Sequence, residues 1–158
     1  MQFPDFFDES PENGQITLHN EDVPMPDGLP SIEKLTTWIT AMAQEEDVPL
    51  GDLNYIFCSD TYLLDMNKQY LDHDYFTDVI TFPMDDEAIS GDIFISTDRV
   101  ADNAKTLGVT PLQELLRVMI HGALHLAGYG DKTPEQEKVM REKEDHYLVV
   151  SVLVFSGV

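Results

Sequence analysis

Apolar residues recur along this chain at two spacings, and the changes from one to the other mark out its elements. Ile16 to His19 reads as a first short strand. After the turn VPMPDGLP, Ser31 offers an N-cap, and Ile32, Leu35, Trp38, Ile39 and Met42 stand at helical spacing to about Glu46. Leu53 to Cys58 (LNYIFC) suits a buried strand, closed by Ser59-Asp60, which caps a second helix carrying Leu63, Leu64, Met66 and Tyr70. Residues 72 to 78 read as a loop, Val79 to Phe82 as a third strand and Pro83 to Ser90 as a turn or irregular hairpin connection. Gly91-Asp92 then opens a fourth strand, Ile93 to Ser96, and Thr97 and Asp98 start a third helix that stops near Gly108.

Two further helix starts share one signature. Thr110-Pro111-Leu112-Gln113 and Thr133-Pro134-Glu135-Gln136 each place Thr at the N-cap, Pro at N1 and Gln at N3, the layout of a capping box. The fourth helix carries apolar residues on more than one face, as a buried helix does, and ends at Gly128. The fifth runs from Pro134 into Tyr147, and the stretch YLVVSVLVF that follows is either a buried helix end or a final strand. These elements predict an α+β (mixed α/β) single domain over residues 15–158, a small mixed sheet of about four strands packed with about five helices. Residues 1–14 read as an acidic, flexible N-terminal segment.

At 158 residues the length suits one domain, and no apolar run reaches the roughly 20 residues of a membrane helix. The start, MQFPDFFDESPENG, has no basic region followed by an apolar stretch, so the expected location is the cytoplasm, with no membrane partner. A single cysteine, Cys58, excludes an internal disulfide and a cysteine-cluster metal site. The formal charge of −21 argues against a generic nucleic-acid binder. Its distribution narrows that conclusion. Residues 1–98 carry a net −20 and residues 99–158 a net −1, so a site that meets an anion belongs in the second part.

That second part holds the candidate chemistry. His121 and His125 lie four residues apart, which on a helix sends both rings from one face, one turn apart, able to grip one ion. The helix is otherwise apolar, and it stops at Gly128-Tyr129-Gly130, letting the chain turn back and deliver Asp131. His121, His125 and Asp131 would make two nitrogens and a carboxylate, the three-ligand form of a catalytic zinc site, with one Zn(2+) ion as the expected cofactor. Such an ion lowers the pKa of bound water to about 7 and polarises a carbonyl or phosphoryl oxygen, so hydrolysis is the reaction class implied. The alternative is that both histidines are satisfied core residues and Asp131 tops the next helix. The zinc-peptidase pattern needs Glu after the first histidine; here Gly122 stands there.

The run His121-Gly-Ala-Leu-His125-Leu-Ala-Gly-Tyr129, preceded by Glu114 and Arg117 and followed by Met140 and Glu144, resembles the YbeY family of ribosomal-RNA maturation endoribonucleases. Asn67-Lys-Gln-Tyr70, Thr77-Asp78-Val79-Ile80-Thr81-Phe82 and Gly91-Asp92-Ile93 fall in the order of that family's other motifs. The resemblance implies a zincin-like metallohydrolase that cuts single-stranded RNA in small-subunit rRNA 3′-end maturation and ribosome quality control. Its partner would be rRNA or the ribosomal small subunit, reached through a protein partner. Two positions depart from the family pattern. Asp131 replaces a usual third histidine, and Leu71 replaces a usual Arg after the Asn-x-x-Tyr segment.

Arg117, one turn before His121, would partly substitute for that Arg if it points into the cleft, and is otherwise a surface residue. Asp78 would orient a ligand or a water, or else merely close its loop. Gly91-Asp92 reads as a turn at a strand start, and His19, His73 and His146 have no companion at ligand spacing. Two competing functions share these residues: a zincin-like hydrolase of a non-RNA substrate such as a peptide, and a ribosome-associated binding module with a vestigial metal site.

Overall fold

The computed structural model describes residues 14–156, and within them four strands form one sheet. They are β1 (Ile16–Asn20), β2 (Leu50–Cys58), β3 (Val79–Pro83) and β4 (Ile89–Ser96), in the order β1-β2-β4-β3. β1 pairs parallel with β2, β2 parallel with β4, and β3 antiparallel with β4, so the sheet is mixed. Five helices cover it: α1 (Ile32–Glu46), α2 (Asp60–Leu71), α3 (Thr97–Leu107), α4 (Pro111–Leu126) and α5 (Pro134–Phe155). The predicted N-terminal segment lies outside the described residues, except that Gly14 donates its N–H to the Leu50 carbonyl.

The period of two along β2 divides the interior. Leu53, Tyr55 and Phe57 enter the main core with Ile93 and Ile95 of β4, under α1, α4 and α5. Cys58 faces the other way, into a smaller cluster with Leu63 of α2 and Ile80 of β3. Burial pushes the Cys58 thiol up to about 12, so it is a small apolar side chain rather than a nucleophile. The Tyr55 hydroxyl donates to the Met119 carbonyl of α4, and the Trp38 indole donates to the Tyr147 carbonyl of α5. These two bonds satisfy the polar ends of buried aromatic rings and tie the helices to the sheet and to each other.

Several boundaries differ from the sequence-based expectation. β4 begins at Ile89, so Gly91-Asp92 lies inside the strand. Gly91 is required there, because at φ 149° a Cβ would come within 2.2 Å of the Phe82 carbonyl oxygen across the ladder. The cap of α3 is Ser96, whose hydroxyl accepts from the Arg99 N–H, one residue earlier than expected. The capping box of α4 is complete, but the second is not reciprocal: Gln136 accepts from the N–H of Lys132 rather than from Thr133. The stretch after Tyr147 continues α5 as helix, with Tyr147 and Ser151 buried and Val149, Val152 and Leu153 exposed. Among the described residues no helix is long and apolar enough to cross a membrane.

α4 lies on the sheet through Gly122, where a Cβ would stand 2.8 Å from Ile93 Cγ2. The absent side chain sets the height of the helix and of the histidines it carries. Gly122→Ala should therefore destabilise the fold by about 1–3 kcal/mol, although Ala is the better helix former. A urea midpoint at or above that of the wild type would remove this role.

Candidate metal centre

α4 carries His121 and His125 one turn apart on one face, and their rings meet edge to face at 4.5 Å between centroids. The helix stops at the Ala127 cap, and Gly128, at φ 112°, turns the chain back as the Tyr129 N–H bonds the Leu124 carbonyl. This turn delivers Asp131. Its Oδ2 lies 3.3 Å from His121 Nε2 and 3.2 Å from His125 Nε2. The expected trio is thus brought together.

The other ring nitrogens determine what this arrangement means. His125 Nδ1 is 2.8 Å from the Tyr129 carbonyl, which can only accept, so the ring proton sits on Nδ1. His121 Nδ1 is 2.6 Å from Glu144 Oε2 and donates to it in the same way. With a proton held on each Nδ1, Nε2 of both rings faces the Asp131 carboxylate. Such a trio is held together by a shared positive charge, either a ring proton donated to Asp131 or a metal ion between the three atoms. Tetrahedral bonds of roughly 2.0–2.1 Å to zinc set neighbouring donors about 3.3 Å apart, close to the Nε2 to Oδ2 distances here. The donor set therefore fits a metal ion.

The surroundings favour positive charge. Burial alone would push the His121 pKa down, but the Glu144 bond, with Asp131 and Asp78 nearby, outweighs it and raises it. Burial likewise opposes charge on Glu144, yet its bonds to His121 and Arg117 hold its carboxyl below the usual range. A cleft of about 230 Å3 opens beside the trio, lined among others by Asp78, Glu114, Arg117, Arg141 and Glu144. Burial raises Asp78 above the ordinary carboxylate range, with His121 pulling the other way.

Arg117 does point into the cleft, but Glu144 and Asp145 hold it at 2.8 and 2.7 Å. Asp78 lines the wall and accepts from Asn103 at 3.4 Å. Leu71 is exposed at the end of α2 and does not line the cleft. His19, His73 and His146 bond Thr17, Tyr75 and Glu45, away from the trio. Sequence reading gave no role to Glu144, which anchors His121, or to Glu46. The Glu46 carboxylate, at the end of α1, accepts from the Tyr129 and Tyr147 hydroxyls and from Lys143, and so clamps the turn whose carbonyl holds His125.

Comparison with known proteins adds to this geometry. A family model described as Endoribonuclease YbeY matches residues 16–150. The chain is 53% identical over 114 residues to the Endoribonuclease YbeY of Cytophaga hutchinsonii, spanning 71% of this chain and 80% of that protein. It is 44% identical over 138 residues to the Endoribonuclease YbeY of Parabacteroides distasonis, spanning 85% and 94%. The solution structure of a Thermotoga maritima protein matches with a TM-score of 0.57 at 30% identity, over 84% of this chain and 86% of that one.

Two outcomes test the supports of the site. Glu144→Ala should weaken binding of a divalent metal about 10- to 100-fold in a competition with a chromogenic chelator, while Glu144→Gln, which keeps an acceptor, retains most of it. Equal affinity in both variants would remove Glu144 from the site. Burial opposes charge on Glu46, but its three donors outweigh it and lower its pKa below 4.5 in the folded chain. That stabilisation is full above the unfolded pKa and is lost as pH falls through the lower folded value. Glu46→Gln should cost about 2 kcal/mol at neutral pH, with the gap to wild type closing as acidification protonates Glu46 below the ordinary carboxylate range. A gap independent of pH in urea titrations would contradict this.

Proposed function

The chain belongs to the Endoribonuclease YbeY family, and from that premise we propose that it is a metal-dependent, single-strand-specific endoribonuclease. Its substrate in this reading is small-subunit rRNA, matured at the 3′ end, with a part in ribosome quality control in the cytoplasm. The observation that carries the proposal is the convergence of His121 Nε2 and His125 Nε2 on the Asp131 carboxylate. His121, His125 and Asp131 would hold one divalent ion, and two imidazoles with a carboxylate favour zinc. Such an ion supplies a Lewis acid for a phosphoryl oxygen and a water acidic enough to be a nucleophile near neutral pH.

The chain's own residues perform the rest. Glu144 and the Tyr129 carbonyl fix both histidine tautomers and so keep their lone pairs turned inward. Asp78, on the cleft wall and with a raised pKa, is placed to accept a proton or to orient a water. Arg117, held by two carboxylates, steadies Glu144 more than it meets substrate. Gly122 leaves no carboxylate for the peptidase base, which counts against peptide hydrolysis. The charge of −21 gives free RNA little to bind, so recruitment falls to the small subunit through a protein partner.

The purified protein should carry close to one equivalent of zinc and cut single-stranded RNA internally, with cleavage abolished by a chelator and restored by the metal. His121→Ala and Asp131→Ala should each lose metal and at least about 100-fold of the activity. Zinc retained after Asp131→Ala would overturn the three-ligand assignment. RNA left intact by the zinc-loaded protein would leave the binding module with a vestigial site as the better reading.

A further inference from the structure

We propose that the apolar groove beside the metal cleft receives one unpaired nucleobase, guanine, and that Glu114 reads its Watson–Crick edge. This inference rests on the endoribonuclease reading above and names the base that flanks the scissile phosphate. The groove measures about 520 Å3, within the range of small-ligand sites. Leu107, Leu116, Leu148, Val152 and Phe155 form its apolar walls, at the junction of α3, α4 and α5. Val152 is 68% exposed and Leu107 55%, so the groove leaves sizeable apolar surface to solvent.

Three residues line both the groove and the metal cleft: Glu114, Arg117 and Arg141. A ligand that fills the two together has an apolar flat part and an anionic part, joined at the arginines. A nucleotide within a single strand is such a ligand, with its base in the groove and its phosphate toward the metal. Arg117 is already held by Glu144 and Asp145, but Arg141, exposed on α5, makes no ion pair among the described residues. It is the cation of the junction free to meet a phosphate, in a cleft where Leu71 contributes none.

Glu114 makes the site selective. The residue is 6% exposed, and its Oε1 is buried with no hydrogen-bond partner among the described residues. A buried carboxylate oxygen left without a donor is an acceptor waiting to be filled. Glu114 lines both the groove and the cleft, and the terminal torsion of Glu is broad, which lets its carboxylate adjust to a ligand there. A carboxylate offers two acceptors side by side, and guanine answers with adjacent N–H donors at N1 and N2. Adenine presents an acceptor at N1, which faces the same carboxylate without a proton.

Binding of 5′-GMP and 5′-AMP to the full chain, followed by calorimetry, tests the site; the two share a phosphate, so the difference reports the base. GMP should bind about tenfold more tightly, the low end of what a bidentate base contact confers. Glu114→Gln, with one donor and one acceptor, should move the preference toward AMP, an exchange that a merely structural role would not produce. Val152→Trp, from an exposed position, should fill the groove and weaken GMP at least about fivefold. Equal binding of GMP and AMP by the wild type, an unchanged preference in Glu114→Gln, or GMP binding indifferent to Val152→Trp would each overturn the proposal. Cleavage of single-stranded RNA is assayed alongside. Guanine preference without cleavage supports the groove and overturns the endoribonuclease reading, whereas cleavage with GMP and AMP bound alike overturns the groove and leaves that reading intact.

Discussion

The hydrogen bonds from His121 Nδ1 to Glu144 and from His125 Nδ1 to the Tyr129 carbonyl decide where both rings direct their lone pairs. With the protons held outward, Nε2 of each ring faces Asp131, and the three donors converge. Reversing either tautomer would place an N–H in the centre instead of a ligand. The rest of the fold can be followed outward from these two bonds. Glu144 requires α5 to lie along α4, which the buried Met140 and Tyr147 of α5 secure in the main core. The Tyr129 carbonyl requires the turn after α4, which Gly128 permits and Glu46 clamps from the end of α1.

The same arrangement explains how an acidic protein can hold a centre meant for an anion. Glu144 and Asp131 are spent on the histidines, and Arg117 on Glu144 and Asp145, so the acids next to the trio are engaged locally and their remaining excess is of the size a divalent ion would balance. An ion bound there would be the dominant local charge. The large negative excess resides in residues 1–98, while the helices that build the cleft come mostly from the nearly neutral remainder. Attraction of substrate is then short in range and local, and long-range fields contribute mainly repulsion of polyanions.

Much of this was legible in the chain because it is local. His121, His125 and Asp131 span eleven positions of one helix and its stop, and the spacing, Gly128 and the apolar surroundings point to the same face. The strands, helices and mixed sheet followed from apolar spacing and from caps such as Ser31, Ser59 and Thr110, whose side chains do accept the expected N–H bonds. What was illegible depends on partners distant in sequence. Glu144 meets His121 from 23 residues away, and Glu46 meets Tyr129 from 83 away, so neither role has a local signature. The start of β4 is hidden in the sequence because Gly91 suggests a turn; the close approach of the Phe82 carbonyl, which explains that glycine, becomes visible only once β3 and β4 pair. The end of α5 was ambiguous because β-branched residues suit a strand as well as a helix that is half covered.

Gly122 has an evolutionary consequence. It sits directly after the first histidine, where zinc peptidases carry their catalytic glutamate, yet in this fold the same position is pressed against Ile93 of the sheet. A glutamate there would have to lift the whole helix, and with it both histidines, before it performed any chemistry. One-step drift from this scaffold toward a peptidase is therefore closed by packing rather than by catalysis. The reaction types open to the fold are those whose base comes from elsewhere in the cleft, or from the substrate itself.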